Sequence, residues 1–599
     1  MFLLGQSSSL EEENTDEEAE MTPSPTVPVP VGDGTMKIIE RPKDEEERET
    51  WGKKLDFLLS VIGFAVDLGN VWRFPYICYR NGGGAFLIPY IIMLVFGGLP
   101  LFYMELALGQ YQRCGCFTVW NRICPMFKGI GLSIFVISTY VAFYYNTIIA
   151  WSVYYLFSSF NYEVPWLSCN NSWNSDNCTT FEQRRNQSLP MNLSTSSAQE
   201  FFENNILEIQ YSKGIDDVGG VKWKIFLCLL GVFSIVYFSL WKGIKSSGKV
   251  VWVTATLPYI VLLVLLVRGC TLPGSYEGII YYLKPNWSML LQPGVWIDAA
   301  AQIFFSLGPG FGVLLALSSY NKFNNNCYKD ALITSAVNCC TSFFAGFAVF
   351  SVLGYMAHVH KKSVADVSRE DVGLIFIVYP EAIATLKGSV FWAIIFFVML
   401  TTLGLDTTFG GLEAICTGIL DEFPKLRRHR ELFVAFLLVY CLLGGLATTT
   451  YGGIYVVQLL DTYGAPISIL FVVFLESVAV SWIYGVNRFS DDIESMIGTR
   501  PGIFWRGCWA VVSPVFLLML FTLSVVSDSG PVYGNYQYPS WSIGIGWIIV
   551  CSSLICIPLY IIYKFFTLEG SVCERLRKMI QPSELPKHVH RQEAEPIFL

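Results

Sequence analysis

Two aspartates, Asp67 and Asp406, sit in the middle of long apolar runs, each next to further polar groups. Asp67 belongs to Gly63-Phe-Ala-Val-Asp-Leu-Gly-Asn-Val-Trp-Arg-Phe-Pro-Tyr76, where Gly69 and Asn70 adjoin it and Arg73 and Pro75 follow. Asp406 belongs to Leu403-Gly-Leu-Asp-Thr-Thr408, with hydroxyls on Thr407 and Thr408. A carboxylate at the centre of a bilayer costs about 2.5–3.5 kcal/mol on insertion scales, so it needs a partner or an aqueous site. The bland alternative is a buried ion pair with a neighbouring segment. No Lys or Arg lies near mid-depth in any other apolar run, so bound cations explain these acids better than packing does.

A third polar interruption is made of backbone. Phe304-Phe-Ser-Leu-Gly-Pro-Gly-Phe-Gly312 cannot continue a regular helix, since Pro309 removes a donor and Gly308 and Gly310 are conformationally loose. One such kink would be ordinary. Two interrupted runs five apart fit two five-helix inverted repeats with a site at the breaks near the midplane. Unwound backbone there frees carbonyl oxygens, which suit a hard cation such as sodium.

The elements that must hold these residues follow from composition. The 599 residues are 53% hydrophobic and 15% charged. A soluble domain carries about 25% charged residues, so this balance points to a bilayer. Twelve apolar runs are long enough to be read as membrane helices: 57–79, 85–111, 129–158, 224–241, 250–268, 296–317, 331–357, 389–418, 432–448, 453–485, 508–526 and 542–565. The expected fold is therefore an all-α membrane protein of about twelve transmembrane helices, with helices 1 and 6 broken. The transporter-like core spans 51–566.

The flanking segments read differently. Residues 1–50 form an acidic, Pro-rich tail expected to be disordered, with Glu11, Glu12, Glu13, Asp16, Glu17, Glu18 and Glu20 ahead of Pro23, Pro25, Pro28 and Pro30. Much of the net charge of −8 sits there. Residues 1–10 lack the pattern of a cleavable signal peptide. Residues 567–599 form the C-terminal tail. The one long polar loop, 161–222, holds Cys169 and Cys178 and sequons at Asn170, Asn177, Asn186 and Asn192. Four sequons around a cysteine pair give that loop an outer address, with a disulfide and glycosylation expected. The loop carrying Lys242, Lys245 and Lys249 then lies inside, and both tails are cytoplasmic.

Some chemistries lose support. Gly243, Gly248 and Lys249 have the spacing of a phosphate-binding loop, but Val250 stands where Ser or Thr must hold magnesium. The five histidines show no metal-ligand spacing, and no nucleophile elbow is present. The chain reads as no enzyme and no ATP-driven pump, and nucleic acid is not an expected partner. An amine receptor would also hold an ammonium with a membrane aspartate, but twelve runs and two interruptions argue against it.

From about Arg48 to the last apolar run, the chain resembles the neurotransmitter:sodium symporters. The resemblance rests on Asn70-Val-Trp-Arg-Phe-Pro-Tyr76 followed by Asn81-Gly-Gly-Gly-Ala-Phe86. Within that family the monoamine branch is most similar, and Asp298–Leu332 and Gly404–Glu413 look like serotonin transporters. The resemblance implies sodium- and chloride-dependent uptake of serotonin across the plasma membrane by alternating access. A catecholamine or phenolamine (dopamine, noradrenaline, octopamine) is the alternative substrate. Membrane lipid is the other expected partner, and homo-oligomerisation is left open. Amino-acid members carry glycine at the Asp67 position; an aspartate there repels a carboxylate and attracts an ammonium.

Carried over position by position, the resemblance puts a first sodium at Ala65, Asp67, Asn70, Ser306 and Asn338. A second belongs at Gly63, Val66, Leu403, Asp406 and Thr407, where serine is usual at the last position. Chloride belongs among Tyr90, Gln302, Ser306, Asn338 and Ser342, the neutral Ser342 standing where chloride-independent relatives have glutamate. The substrate is expected among Asp67, Phe64, Ser138, Val141, Tyr145, Phe305, Phe311, Thr408 and Gly411. Arg73 with Asp461 is the implied outer gate. Arg48 with Asp421 is the implied inner gate, with Tyr320 and Glu413 nearby.

Overall fold

The computed structural model describes residues 26–30, 36–40, 48–71, 73–180, 183, 195–360, 364, 373–528, 530–534 and 536–582. Most of the acidic tail, the sequons at Asn186 and Asn192, and the end of the C-terminal tail lie outside the described residues. Residues 1–49 form a unit of their own. In it β1 (Thr26–Pro30) and β2 (Met36–Glu40) pair antiparallel, Thr26 opposite Glu40 and Pro30 opposite Met36, within a segment the sequence reading expects to be disordered.

The second unit, 50–599, is helical. Among the described residues, ten helices are long and apolar enough to cross a membrane. Two interrupted ones bring the membrane elements to twelve, in the order read from the sequence. Span 1 is split into Lys54–Ala65, Leu68–Val71 and Arg73–Arg80, and span 6 into Pro293–Leu307 and Val313–Ser318. Each half is too short to cross alone.

Helix ends move outward from the apolar runs because polar turns continue the hydrogen bonding past the lipid-soluble stretch. Span 10 is less regular: Gly453–Tyr463 and Pro466–Val478 are interrupted at Gly464–Ala465, and past the π-turn at Ala479–Gly485 the backbone turns at Gly485, φ +102°, before the separate helix Val486–Ile497. Spans 3, 7 and 8 run Pro125–Ser158, Cys327–Val359 and Ser389–Glu422. At about 1.5 Å per residue such helices exceed the ~30 Å apolar slab, so they tilt or project beyond it. Helices outside the expected membrane runs include Cys116–Ile123 between spans 2 and 3, Ser275–Leu283 between spans 5 and 6, the apolar Ile375–Ala384 between spans 7 and 8, and Val572–Ile580 after span 12.

Spans 3 and 8 pack along each other, and the first span lies against spans 7 and 8. Small residues permit that closeness. A Cβ on Gly63 would stand 2.9 Å from the Asp406 Oδ2, and one on Gly404 would stand 2.6 Å from the Ile149 side chain. The first broken helix is thereby held beside the carboxylate of span 8.

Candidate functional site

The break in span 1 is built by its own polar residues. Helix stops at Ala65, Val66 turns extended at φ −93° and ψ 96°, and Leu68 restarts the helix. Asp67 N–H donates to Asn70 Oδ1 at 2.9 Å, and Asn70 N–H donates back to Asp67 Oδ1 at 3.3 Å. These bonds satisfy groups that the missing helical turn would have paired.

In span 6 the break is steric. Gly308 and Gly310 adopt φ of +65° and +85°, and Gly312 one of +70°. A Cβ on Gly308 would also lie 2.7 Å from the Phe64 ring, and one on Gly310 2.2 Å from Val473. The Gly310 N–H donates to Glu105 Oε1 of span 2 at 2.6 Å. A second carboxyl, Glu476 of span 10, is fully buried beside Glu105.

Asn70 ties the two breaks to span 7. Its Nδ2 donates to Ser306 Oγ at 3.1 Å and Ser342 Oγ at 2.7 Å, and it also meets Asn338 Oδ1. Asn338 Nδ2 donates to the Ser306 carbonyl at 3.0 Å, and Ser342 Oγ donates to the Asn338 carbonyl at 3.2 Å. The first expected sodium set and the chloride set thus meet in one buried cluster around Ser306 and Asn338. Ala65 is buried beside the break. Gln302 is 1% exposed and its Oε1 has no hydrogen-bond partner, while Tyr90 OH donates weakly to Cys339 Sγ at 3.5 Å.

The second expected sodium set also comes together. Gly63 lies against Asp406, Val66 and Leu403 are buried, and Thr407 Oγ1 donates to the Leu403 carbonyl at 3.4 Å. Thr254 of span 5 adds a hydroxyl to Asp406 Oδ1, a contact absent from the sequence reading. Among the described residues no Lys or Arg forms an ion pair with Asp67 or Asp406.

A cavity of about 530 Å³ opens between these clusters. All nine residues expected to meet the substrate line it: Phe64, Asp67, Ser138, Val141, Tyr145, Phe305, Phe311, Thr408 and Gly411. Asp67 lies among the aromatic and aliphatic members of that lining, which also includes Asp298, Asp461, Arg73 and Arg80. Asn146, which the sequence reading missed, also lines the cavity and accepts the Thr408 hydroxyl at 3.1 Å.

Arg73 and Asp461 line the same cavity, yet no ion pair joins them among the described residues. The Arg73 guanidinium lies 4.6 Å from the Phe305 ring centroid, and Asp461 accepts the Tyr144 hydroxyl at 2.9 Å. At the other end the polar groups are knitted together. Tyr320 OH donates to Glu413 at 3.3 Å, and Arg430 pairs with Glu413 at 2.6 Å. Asp421 pairs with Arg427 at 2.9 Å and accepts the Gly115 N–H at 2.7 Å. Neither Arg430 nor Arg427 figured in the sequence reading. Arg48 belongs to the N-terminal unit.

In loop 161–222, Cys169 and Cys178 form a disulfide with Cα atoms 5.8 Å apart. Asn170 and Asn177 flank it and are exposed. Lys222 closes the loop, pairing with Glu208 at 2.8 Å while its own N–H donates to the Thr449 carbonyl at 2.9 Å. Burial pushes the Lys222 ammonium down to about 8, against the opposing pull of Glu208.

Comparison with known proteins adds three findings. A model of the sodium:neurotransmitter symporter family matches residues 48–568. A sodium-dependent serotonin transporter of Drosophila melanogaster is 60% identical over 542 residues, covering 90% of this chain and 86% of that protein. A sodium-dependent dopamine transporter of Bos taurus is 54% identical over 542 residues, covering 90% and 78%.

Proposed function

The chain belongs to the sodium:neurotransmitter symporter family, and on that premise we propose that it takes up serotonin across the plasma membrane with sodium and chloride. It is thus a multi-pass membrane symporter and not an enzyme. The substrate assignment is carried by one observation: Asp67 lines a cavity together with Phe64, Tyr145, Phe305 and Phe311, and among the described residues no Lys or Arg forms an ion pair with it. An organic ammonium on an aromatic body complements that chamber, whereas a second carboxylate would be repelled at close range. The identity to a serotonin transporter supports serotonin over a catecholamine or phenolamine.

In this reading Ala65, Asp67, Asn70, Ser306 and Asn338 hold one sodium, and Gly63, Val66, Leu403, Asp406 and Thr407 hold the other. Sodium supplies the positive charge that makes two buried carboxylates tolerable. Tyr90, Gln302, Ser306, Asn338 and Ser342 offer hydroxyl and amide donors to chloride, with no fixed negative charge among them. Asp67 orients the amine while Tyr145, Phe305 and Phe311 flank its ring. The separation of Arg73 from Asp461, set against the tied Glu413 and Asp421 ends, supports an outward-facing state in an alternating-access cycle. The disulfide and sequons of loop 161–222 support an outer position for that loop and, with twelve spans, a cytoplasmic one for both tails.

Uptake of labelled serotonin into cells expressing the chain tests the proposal, with dopamine, noradrenaline, octopamine and GABA as competitors. Serotonin is expected to be accumulated and to compete best, GABA not at all. Preferential uptake of a catecholamine or octopamine would overturn the serotonin assignment. Full uptake with choline replacing sodium would overturn the ion coupling.

A further inference from the structure

The last membrane helix, Ser540–Thr567, is followed after four residues by a nine-residue helix, Val572–Ile580. Four residues reach at most about 14 Å, so this helix stays beside the end of the span. Its start is fixed by a capping box in which Ser571 Oγ accepts the Glu574 N–H and Glu574 accepts the Ser571 N–H. Its body side is fixed too. Met579 is fully buried, Cys124 Sγ reaches the Met579 carbonyl at 3.8 Å, and Arg575 turns back to the Gly570 carbonyl at 2.9 Å.

The adjoining face is apolar and uncovered. Val572, Leu576 and Ile580 recur every four residues, a single stripe along the helix, and are 63%, 44% and 43% exposed. That stripe continues a surface already apolar on the last span, where Leu559, Ile562, Tyr563 and Phe566 are each more than half exposed. The opposite arc carries Glu574, Arg577 and Lys578. From Lys564 to Ile580 four cations (Lys564, Arg575, Arg577, Lys578) stand against Glu569 and Glu574.

We propose that the Val572–Ile580 helix lies in the plane of the bilayer surface, its Val572, Leu576 and Ile580 side chains in lipid and Arg577 and Lys578 on anionic headgroups. Lipid is the occupant because the stripe is continuous with a lipid-facing span and the flanking charge is positive. A helix of this kind draws on apolar burial and on attraction to acidic lipid together. Which leaflet it meets rests on the cytoplasmic placement of the C-terminus proposed above; the lipid contact itself does not depend on transport.

Hydrogen–deuterium exchange on the full chain in nanodiscs tests this. Amides of 572–580 are expected to exchange about 25-fold more slowly with phosphatidylserine present than in pure phosphatidylcholine, the factor two basic side chains together contribute at an anionic surface. Arg577→Gln with Lys578→Gln should erase that difference. Leu576→Glu with Ile580→Glu, both at exposed positions, should speed exchange in either lipid. Equal protection in both lipids and in detergent, unaltered by either pair of changes, would overturn the proposal and point to a protein partner or to self-contained stability. The readout is independent of serotonin uptake, so its failure leaves the transport reading untouched.

Discussion

Glu105 of span 2 accepts the Gly310 N–H at 2.6 Å, across a sequence separation of 205 residues, at the point where span 6 has no helical partner to offer. In a bilayer an unwound amide cannot turn to water, so the carboxylate completes the break. Removing it leaves the donor buried, at a cost of about 1–3 kcal/mol. Glu105→Ala is expected to reduce maximal uptake severalfold at matched surface level, while Glu105→Gln, which retains a carbonyl acceptor, should keep more. Surface biotinylation beside initial uptake rates measures both; normal rates in Glu105→Ala would show the bond to be dispensable.

Asp67 carries the substrate assignment. A hydrogen bond to a charged group contributes about 1.5–3 kcal/mol, so Asp67→Asn should lose at least roughly tenfold in apparent amine affinity. Asp67→Glu keeps the charge one methylene deeper in the cavity and should retain partial function. Surface labelling with serotonin uptake separates lost binding from lost expression. Unchanged affinity in a well-expressed Asp67→Asn would defeat the amine reading.

Ser342 receives Asn70 Nδ2 at 2.7 Å, and the five residues proposed to hold chloride include no carboxylate. Ser342→Glu is expected to supply that charge internally and lessen the need for chloride, leaving sodium dependence intact. Uptake in chloride and in gluconate buffers reads the difference. A surface-expressed variant still wholly chloride-dependent would move the anion elsewhere.

The pH response of loop 161–222 turns on Lys222. Burial holds its folded value near 8, below the 10.5 of a free lysine, with Glu208 opposing. Between those values the unfolded chain binds more protons than the folded one, so this group makes stability rise with pH there. Below about 8 both states are protonated and its contribution is flat. Thermal melts between pH 7.5 and 10.5 should show this rise, and Lys222→Gln should reduce it. An identical pH profile in the variant would count against the assignment.

Cys169 and Cys178 close a loop of nine-residue separation beside two exposed sequons. Peptide mapping of surface protein without reduction should recover them linked, and Cys169→Ala should lower the surface level. Free thiols at both positions in mature protein would contradict the bond.

The sequence by itself determined the membrane architecture and where two of its helices break. Apolar runs fixed the twelve elements because a backbone in lipid must satisfy itself helically. The breaks were legible because Asp67, Gly308, Pro309 and Gly310 are residues that a lipid-facing helix cannot accommodate cheaply. What the tertiary structure alone decided was which distant groups answer them. Thr254 on Asp406, Asn146 on Thr408, Glu105 on Gly310 and Arg430 on Glu413 join residues far apart in the chain. Nothing local sets such a Thr or Glu apart from its neighbours, since a partner is chosen by helix packing and not by spacing along one strand of sequence. The same holds for the outer gate, where packing lays Arg73 on Phe305 and gives Asp461 to Tyr144. Charge alone would have paired the two; among the described residues no ion pair joins them.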